Sequence, residues 1–136
     1  MKKILITLFA IALTLSLAAC GSNNLADSFS EEEVIANSKS YVETINTLDY
    51  EAVVAGLRED LQSQVTAESL ESAWGPLLDE AGEFEKYTTV VVYGQKDQTT
   101  QEDYAVCVLV CKYENASRTF TISMDKDYKF VGLYMK

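Results

Sequence analysis

The chain has 136 residues, with 11 basic and 21 acidic side chains and no histidine, which gives a formal charge of −10. A chain of this length is the usual size for one domain with one core, and its negative field disfavours nucleic acid as a partner because it repels phosphate groups. The missing histidine excludes catalysis by Ser-His-Asp or Cys-His groups.

The first residues have the pattern of an export signal. A positive head at 1–3 precedes an apolar stretch at 4–19. As a helix this stretch would be about 24 Å long, which is too short to cross a hydrocarbon core of roughly 30 Å. We therefore expect a signal peptide over residues 1–19 rather than a stable membrane span.

The apolar stretch ends in Leu17-Ala18-Ala19-Cys20, which resembles the lipobox of bacterial lipoproteins. In that motif the cysteine sulfur receives a diacylglyceryl group, and cleavage then makes the cysteine the new N-terminus. Two acyl chains give stable attachment, whereas one gives only reversible binding. The resemblance implies lipidation at Cys20 and a place on the extracytoplasmic face of a bacterial, Gram-positive cell membrane. The alternative is an ordinary signal peptide that leaves Cys20 as an unmodified thiol.

Removal of the signal also changes the charge. Lys2 and Lys3 leave with it, so 9 basic side chains remain against 21 acidic ones and the formal charge becomes −12. This charge serves solubility, or it attracts a cationic ligand or partner. Residues 20–28 then form the lipidated cysteine and a short polar tether, which holds the domain about 15 Å from its anchor.

Residues 29–136 form a single domain, and its first half has helical spacing. Apolar residues recur three and four apart, and each run follows a side chain that can cap a helix N-terminus. The expected helices cover residues 31–48, 50–61 and 67–81, and their caps are Ser30, Asp49 and Thr66. Pro76 lies within the third helix, where its missing N–H predicts a kink or a break.

The second half has the period of strands. Four segments rich in Val, Thr, Tyr and Phe are separated by polar turns, which predicts four antiparallel strands. The expected strands are 87–93, 104–113, 118–124 and 128–135. The second strand is apolar on both faces, so it belongs in the middle of the sheet. Helices followed by an antiparallel sheet make an α+β fold.

Three helices followed by four strands resemble the cone-shaped, cystatin-like fold of nuclear transport factor two, which ketosteroid isomerases, scytalone dehydratase and polyketide cyclases share. Two stretches, residues 70–94 and 106–135, are more closely similar to a domain-of-unknown-function family of that superfamily. Its members are often bacterial lipoproteins and are sometimes joined to an α/β hydrolase. The residues that carry the match are Leu70, Trp74, Gly82, Phe84, Gly132 and Leu133. The resemblance implies three helices packed on a curved four-stranded antiparallel sheet.

The superfamily fold also implies a cavity between the first helix and the sheet, with apolar walls and a few polar tips. Five aromatic residues are candidates for its lining, with core packing as the alternative for each: Tyr41, Trp74, Tyr93, Tyr113 and Phe120. We expect a non-catalytic module that binds a small apolar ligand or another protein. The doubly apolar second strand favours a homodimer through the outer face of the sheet.

A small pocket enzyme, isomerase- or cyclase-like, is the alternative function. It would combine a carboxylate base with a tyrosine that donates to an oxyanion. Tyr41, the pair Asp49-Tyr50 and the pair Asp103-Tyr104 are conceivable parts. With 21 acidic side chains and eight tyrosines, however, such neighbours arise by chance, and the sequence assigns no catalytic residue.

Two cysteines lie within the second expected strand. Cys107 and Cys111 are four residues apart, or about 13 Å in a regular strand, whereas a disulfide requires Cα atoms within roughly 7 Å. Both thiols are therefore expected to be free and buried. Without histidine or a further nearby cysteine they also lack the companions of a metal site, so we expect no metal and no cofactor.

Overall fold

A computed structural model describes residues 24–136 of the chain. The expected signal peptide and the lipidation site Cys20 lie outside the described residues. The described elements, in chain order, are α1 (Glu31–Asn46), α2 (Tyr50–Gly56), a 3-10 helix (Glu59–Gln64), α3 (Ala67–Ala81), β1 (Phe84–Lys96), β2 (Asp103–Tyr113), β3 (Ser117–Met124) and β4 (Phe130–Met135). This order confirms the α+β class.

The four strands form one open antiparallel sheet in the order β1-β2-β3-β4. β2 lies between β1 and β3, as its two apolar faces predict. Cys107 of β2, for example, stands opposite Val92 on one side and Ile122 on the other. β1 starts three residues earlier than expected, at Phe84, and its pairing shifts register twice near that end.

The core lies between the helices and one face of the sheet. Alternate residues of β2 form the sheet side of this core, because successive side chains of a strand point to opposite faces. Cys107, Leu109 and Cys111 are all fully buried there. Both cysteines are free, which confirms the prediction from their spacing. On the helix side of the core, α1 contributes Val42 and Ile45, which are also fully buried.

α2 is shorter than the spacing predicts. It ends at Gly56, and Leu57 takes an extended conformation with ψ 153°. Leu57 then forms a parallel bridge to Phe130, and the N–H of Arg58 donates to the Phe130 carbonyl at 2.8 Å. The expectation of a helix to residue 61 is therefore wrong, because the chain leaves the helix to pair with the start of β4.

α3 passes through Pro76 without a break, so of the two expected outcomes, a kink or a break, the break does not occur. Proline removes the hydrogen bond that its N–H would give to the carbonyl of residue 72. Both Ser72 and Pro76 are exposed, so water can satisfy that carbonyl. Thr66 and Ser69 form a reciprocal capping box that fixes the start of the same helix.

The segment before α1 lies against the domain instead of extending freely. We call residues 24–29 the N-terminal strap. Leu25 and Ala26 of the strap pack on the core, and Phe29 is buried. Within residues 24–136, no helix combines the length and the apolar character that a membrane crossing requires.

Candidate functional site

Tyr41, a predicted pocket residue, belongs to the core. Its side chain is 3% exposed, its hydroxyl donates to the Val53 carbonyl, and its ring stacks on Phe130 with the centroids 4.0 Å apart. Burial raises the pKa of Tyr41 well above its ordinary value. The hydroxyl therefore stays protonated and is committed to a structural hydrogen bond.

Trp74 and Phe120 also belong to the packed interior, whereas Tyr93 lies on the other face of the sheet. Phe120 is fully buried, and the half-buried Trp74 meets it edge to face with 6.4 Å between the ring centroids. Tyr93 stands opposite Val106 in the sheet, one residue out of phase with the core-facing Val92. The structure thus does not gather the five candidate aromatic residues around one cavity.

The fifth candidate, Tyr113, does line an open cavity. This cleft has a volume of about 380 Å³ and lies where the ends of α1 and α3 meet the start of β1. Its lining residues are Asn46, Leu48, Leu78, Asp79, Gly82, Glu83, Phe84, Tyr113 and Glu114. We call it the acid-rimmed cleft, because three of these residues are exposed carboxylates.

Two changes of chain direction shape the acid-rimmed cleft. Leu48 follows α1 with φ 62°, and Gly82 ends α3 with φ 82°. A Cβ at Gly82 would lie 3.0 Å from the Cβ of Glu114, so glycine serves both the backbone angle and the close approach. The N–H of Glu114 donates to the Glu83 carbonyl at 2.8 Å, which joins the two sides of the rim.

The floor of the cleft is aromatic and held in place. Tyr113 is 2% exposed, and its hydroxyl donates to the side-chain oxygen of Asn46 at the end of α1. Burial raises the pKa of Tyr113 well above its ordinary value. Phe84 meets the Tyr113 ring edge to face with 5.7 Å between centroids. The floor is therefore neutral and already fixed in place, and the half-buried Phe84 is the part of it that a ligand can reach.

The rim of the cleft is negative. Asp79, Glu83 and Glu114 are exposed, and the lining contains no basic residue. Two nearby cations have acidic partners of their own: Lys112 pairs with Glu85 at 3.0 Å and Arg118 with Glu80 at 3.8 Å. Like charges repel, so the cleft disfavours anionic ligands.

The candidate parts of an enzyme have structural roles. Asp49 accepts the N–H of Ala52 at 3.1 Å as the cap of α2, and its neighbour Tyr50 is buried. Asp103 pairs with Lys96 at 3.5 Å, whereas Tyr104 donates to Glu102 at 3.0 Å. Neither sequence pair therefore directs a carboxylate and a hydroxyl to a common open point. Among residues 24–136, no three acidic or cysteine side chains are grouped to hold a metal ion.

Sequence reasoning missed most of the cleft, because its residues come from three separate segments of the chain. Leu48 was assigned to the end of the first helix, and its positive φ has no signature in the sequence. Gly82 is the one residue with a recognisable signal, since a glycine directly after a helical run commonly ends it. Asp79 and Glu83 lie on either side of Gly82, so both carboxylates could have been placed at the same chain reversal.

The comparisons with known proteins identify the family. Residues 38–133 match the family described as "Protein of unknown function (DUF3887)". Because the match covers more than half of the chain, the protein belongs to this family, which agrees with the expected membership of a domain-of-unknown-function family. No curated protein matches the chain.

A solved structure has a similar fold. It is the NMR structure of a protein from Ruminococcus gnavus ATCC 29149, with a TM-score of 0.74 and 25% sequence identity. The similarity covers 84% of this chain and 97% of that one. The arrangement of helices before a four-stranded antiparallel sheet is therefore found in both proteins.

Proposed function

We propose that this DUF3887 protein is a lipid-anchored binding module on the extracytoplasmic face of a bacterial cell membrane, and that it makes contact with its ligand through the acid-rimmed cleft. The observation that carries the proposal is an aromatic floor, formed by Phe84 and Tyr113, beneath a rim of three exposed carboxylates. The lipobox-like stretch that ends at Cys20 supports the anchor.

The cleft favours one chemical class of ligand. Its volume of about 380 Å³ is in the range of small-molecule sites, roughly 300–1,000 Å³. The apolar floor suits a flat or aliphatic group, and each Å² of apolar surface buried there contributes about 25 cal/mol. The carboxylate rim suits a positive charge. A small apolar group with a cationic head, on a free molecule or on a protein side chain, meets both conditions.

A binding role fits the cleft better than catalysis does. The lining residues include no serine, threonine, cysteine or lysine, which are the usual nucleophiles of covalent catalysis. Among the lining residues, Tyr113 carries a hydroxyl group. This hydroxyl already donates its hydrogen bond to Asn46. The alternative, a pocket enzyme that uses tyrosine and a carboxylate, gains no support from this arrangement.

The anchor is tested by Cys20→Ala in the producing bacterium. The substitution removes the acceptor for diacylglyceryl, so the protein should leave the membrane fraction or accumulate as the unprocessed precursor. Cys107→Ala is the matched control and should stay in the membrane fraction. Normal processing and unchanged membrane retention of the Cys20 variant would refute the lipid anchor.

The cleft is tested with two probes of similar shape and opposite charge, phenethylamine and phenylacetate. Titration of labelled protein followed by NMR should shift the ring signals of Phe84 and Tyr113 with the amine and leave them unchanged with the acid. A triple variant, Asp79→Asn with Glu83→Gln and Glu114→Gln, should lose the response to the amine. A control triple, Glu32→Gln with Glu51→Gln and Glu68→Gln, has the same charge change outside the cleft and should keep it. An amine response that survives in the cleft triple would place binding elsewhere.

A further inference from the structure

The N-terminal strap crosses the sheet where a glycine makes room for it. A Cβ built on Gly94 would overlap the carbonyl oxygen of Asn24 and lie 3.1 Å from the Cα of Leu25. Glycine within a strand often marks the close approach of another backbone. The strap therefore lies on the backbone of β1 at a point where any side chain would displace it.

The other end of the strap is also held. Phe29 packs edge to face on Tyr128, with 5.9 Å between ring centroids. The Tyr128 hydroxyl accepts the N–H of Ser30 at 2.9 Å, and the Ser30 side chain accepts the N–H of Glu33 as the cap of α1. The strap is thus in contact with β1, with the turn before β4 and with the first helix.

The attachment lies far from the cleft. β1 begins at Phe84, which lines the cleft, and reaches the strap at Gly94. Ten residues of strand span about 30 Å at roughly 3.3 Å per residue. The strap and the cleft therefore lie at opposite ends of the domain.

We infer that the strap orients the domain on the membrane, with the loop at 97–102 and the turn at 125–129 toward the lipid and the acid-rimmed cleft away from it. The inference rests on the proposed lipid at Cys20. Asn24 lies four positions after Cys20, and an extended chain of four steps reaches at most about 14 Å. The anchor thus holds the strap end of the sheet close to the headgroups, and the cleft is presented to partners beyond the membrane surface.

Charge does not separate the two ends. Lys126 and Lys129 are exposed in the turn on the strap side, where basic side chains favour contact with anionic headgroups. Asp127 of the same turn and Asp27 of the strap are also exposed, as are the carboxylates of the cleft rim at the far end. The inferred orientation therefore rests on the short tether and on the attachment of the strap.

The orientation is tested with the lipidated protein in phosphatidylcholine vesicles that contain a nitroxide on the lipid headgroup. A fluorophore is attached to Thr99→Cys on the strap side or to Ser117→Cys on the cleft side, while the buried Cys107 and Cys111 stay unlabelled in the native protein. Quenching depends on close approach to the headgroup. It should be several-fold stronger at position 99 than at position 117. Equal quenching, or stronger quenching at position 117, would overturn the inference.

Three further variants, one of them a control, test whether the strap is the cause. Gly94→Val displaces the strap and should make quenching at the two positions nearly equal, whereas Gly75→Ala, where a Cβ meets nothing closer than 3.8 Å, should keep the difference. An insertion of about ten Gly and Ser residues after Ser22 lengthens the tether without touching the described domain, and it should also remove the difference. A difference that survives this insertion would contradict the inference. Protein that never binds vesicles refutes the proposed anchor and the orientation together, whereas bound protein with equal quenching refutes the orientation alone.

Discussion

Tyr41 and Phe130 stack nearly parallel, with ring centroids 4.0 Å apart and planes inclined by 13°. The pair joins α1 to the first residue of β4. The Tyr41 hydroxyl adds a third element, because it donates to the Val53 carbonyl in α2. One side chain therefore connects the neighbouring helices α1 and α2 to the distant strand β4, which explains why this predicted pocket residue is buried in the core.

Tyr41→Phe should lower the free energy of unfolding by about 1–2 kcal/mol, because it leaves the buried Val53 carbonyl without a partner and keeps the ring stack. Tyr41→Leu should cost more, since the stacked aromatic pair adds about 0.5–1.5 kcal/mol beyond its buried area. Urea unfolding followed by circular dichroism measures both. Tyr134→Phe, at an exposed tyrosine, is the control and should be neutral. A neutral Tyr41→Phe would show that the hydrogen bond contributes nothing net.

The sequence predicted the elements better than their ends. The caps Ser30, Asp49 and Thr66 are all used as expected, because capping depends on residues within one turn. The end of α2 was missed because the bridge between Leu57 and Phe130 joins residues far apart in the chain. No local spacing encodes such a pairing.

The site was harder to predict than the fold. An aromatic residue has the same spacing whether it fills a core, as Phe120 does, or lines a cleft, as Tyr113 does. What separates the two cases is the path of the backbone around them. For Tyr113 that path depends on the left-handed residues Leu48 and Gly82, of which only the glycine is recognisable in the sequence.

Asp125 organises the turn before β4, and its loss should destabilise the domain. The side chain is 6% exposed. One carboxylate oxygen accepts the N–H groups of Asp127 and Lys129 at 2.9 and 3.0 Å, and the other accepts from Arg58 at 3.3 Å. Asp125→Ala should cost about 3 kcal/mol, because it leaves a buried charge network without one partner.

Asp125→Asn separates the two roles, because it keeps an oxygen for the backbone N–H groups and removes the charge. Arg58 also has Asp60 at 2.7 Å and Glu102 at 3.5 Å, so it stays paired in this variant. The Asn variant should therefore lose roughly half as much stability as the Ala variant. Urea unfolding of the two variants and of Arg58→Met completes the comparison. Equal losses in both Asp125 variants would assign the effect to the ion pair instead of the turn.

The domain should lose stability as the pH rises above about 9. Burial raises the pKa of Cys111 to about 12, and burial is the main cause that raises the pKa of Tyr87 to about 12 as well. In the unfolded chain these groups ionise near their ordinary values, about 8.5 and 10. Above those values the unfolded state binds fewer protons than the folded state, so the free energy of unfolding falls with rising pH.

Urea midpoints measured between pH 7 and pH 10.5 test this dependence. Cys111→Ala should be less stable at pH 7 because of the cavity it leaves, and its midpoint should fall less steeply with pH than that of the unchanged protein. Thr121→Ala, on the other face of the sheet, serves as the control and should keep the original slope. A Cys111→Ala slope equal to the original would show that this thiol ionises alike in the folded and unfolded chain.

The expected homodimer remains a prediction, and the register of the sheet defines where to test it. Val91, Val108, Thr121 and Tyr134 stand opposite one another in a row across all four strands. They alternate with the core-facing residues, and Val91 and Tyr134 are each 47% exposed. The whole chain is strongly negative, so like charges oppose the close approach of two copies, and this row carries no charge.

If this row packs against the same row of a second copy, light scattering on the protein without its signal peptide should give twice the mass of one chain at micromolar concentration. Val91→Glu should shift the mass to that of the monomer, because it brings like charges together across a symmetric interface, where each copy contributes the same patch. Thr99→Glu adds the same charge in the loop between β1 and β2 and should leave the dimer intact. A monomeric mass for the unchanged protein would rule out pairing through this face and leave the row exposed on a monomer. Loss of the dimer in both variants would instead assign the effect to total charge.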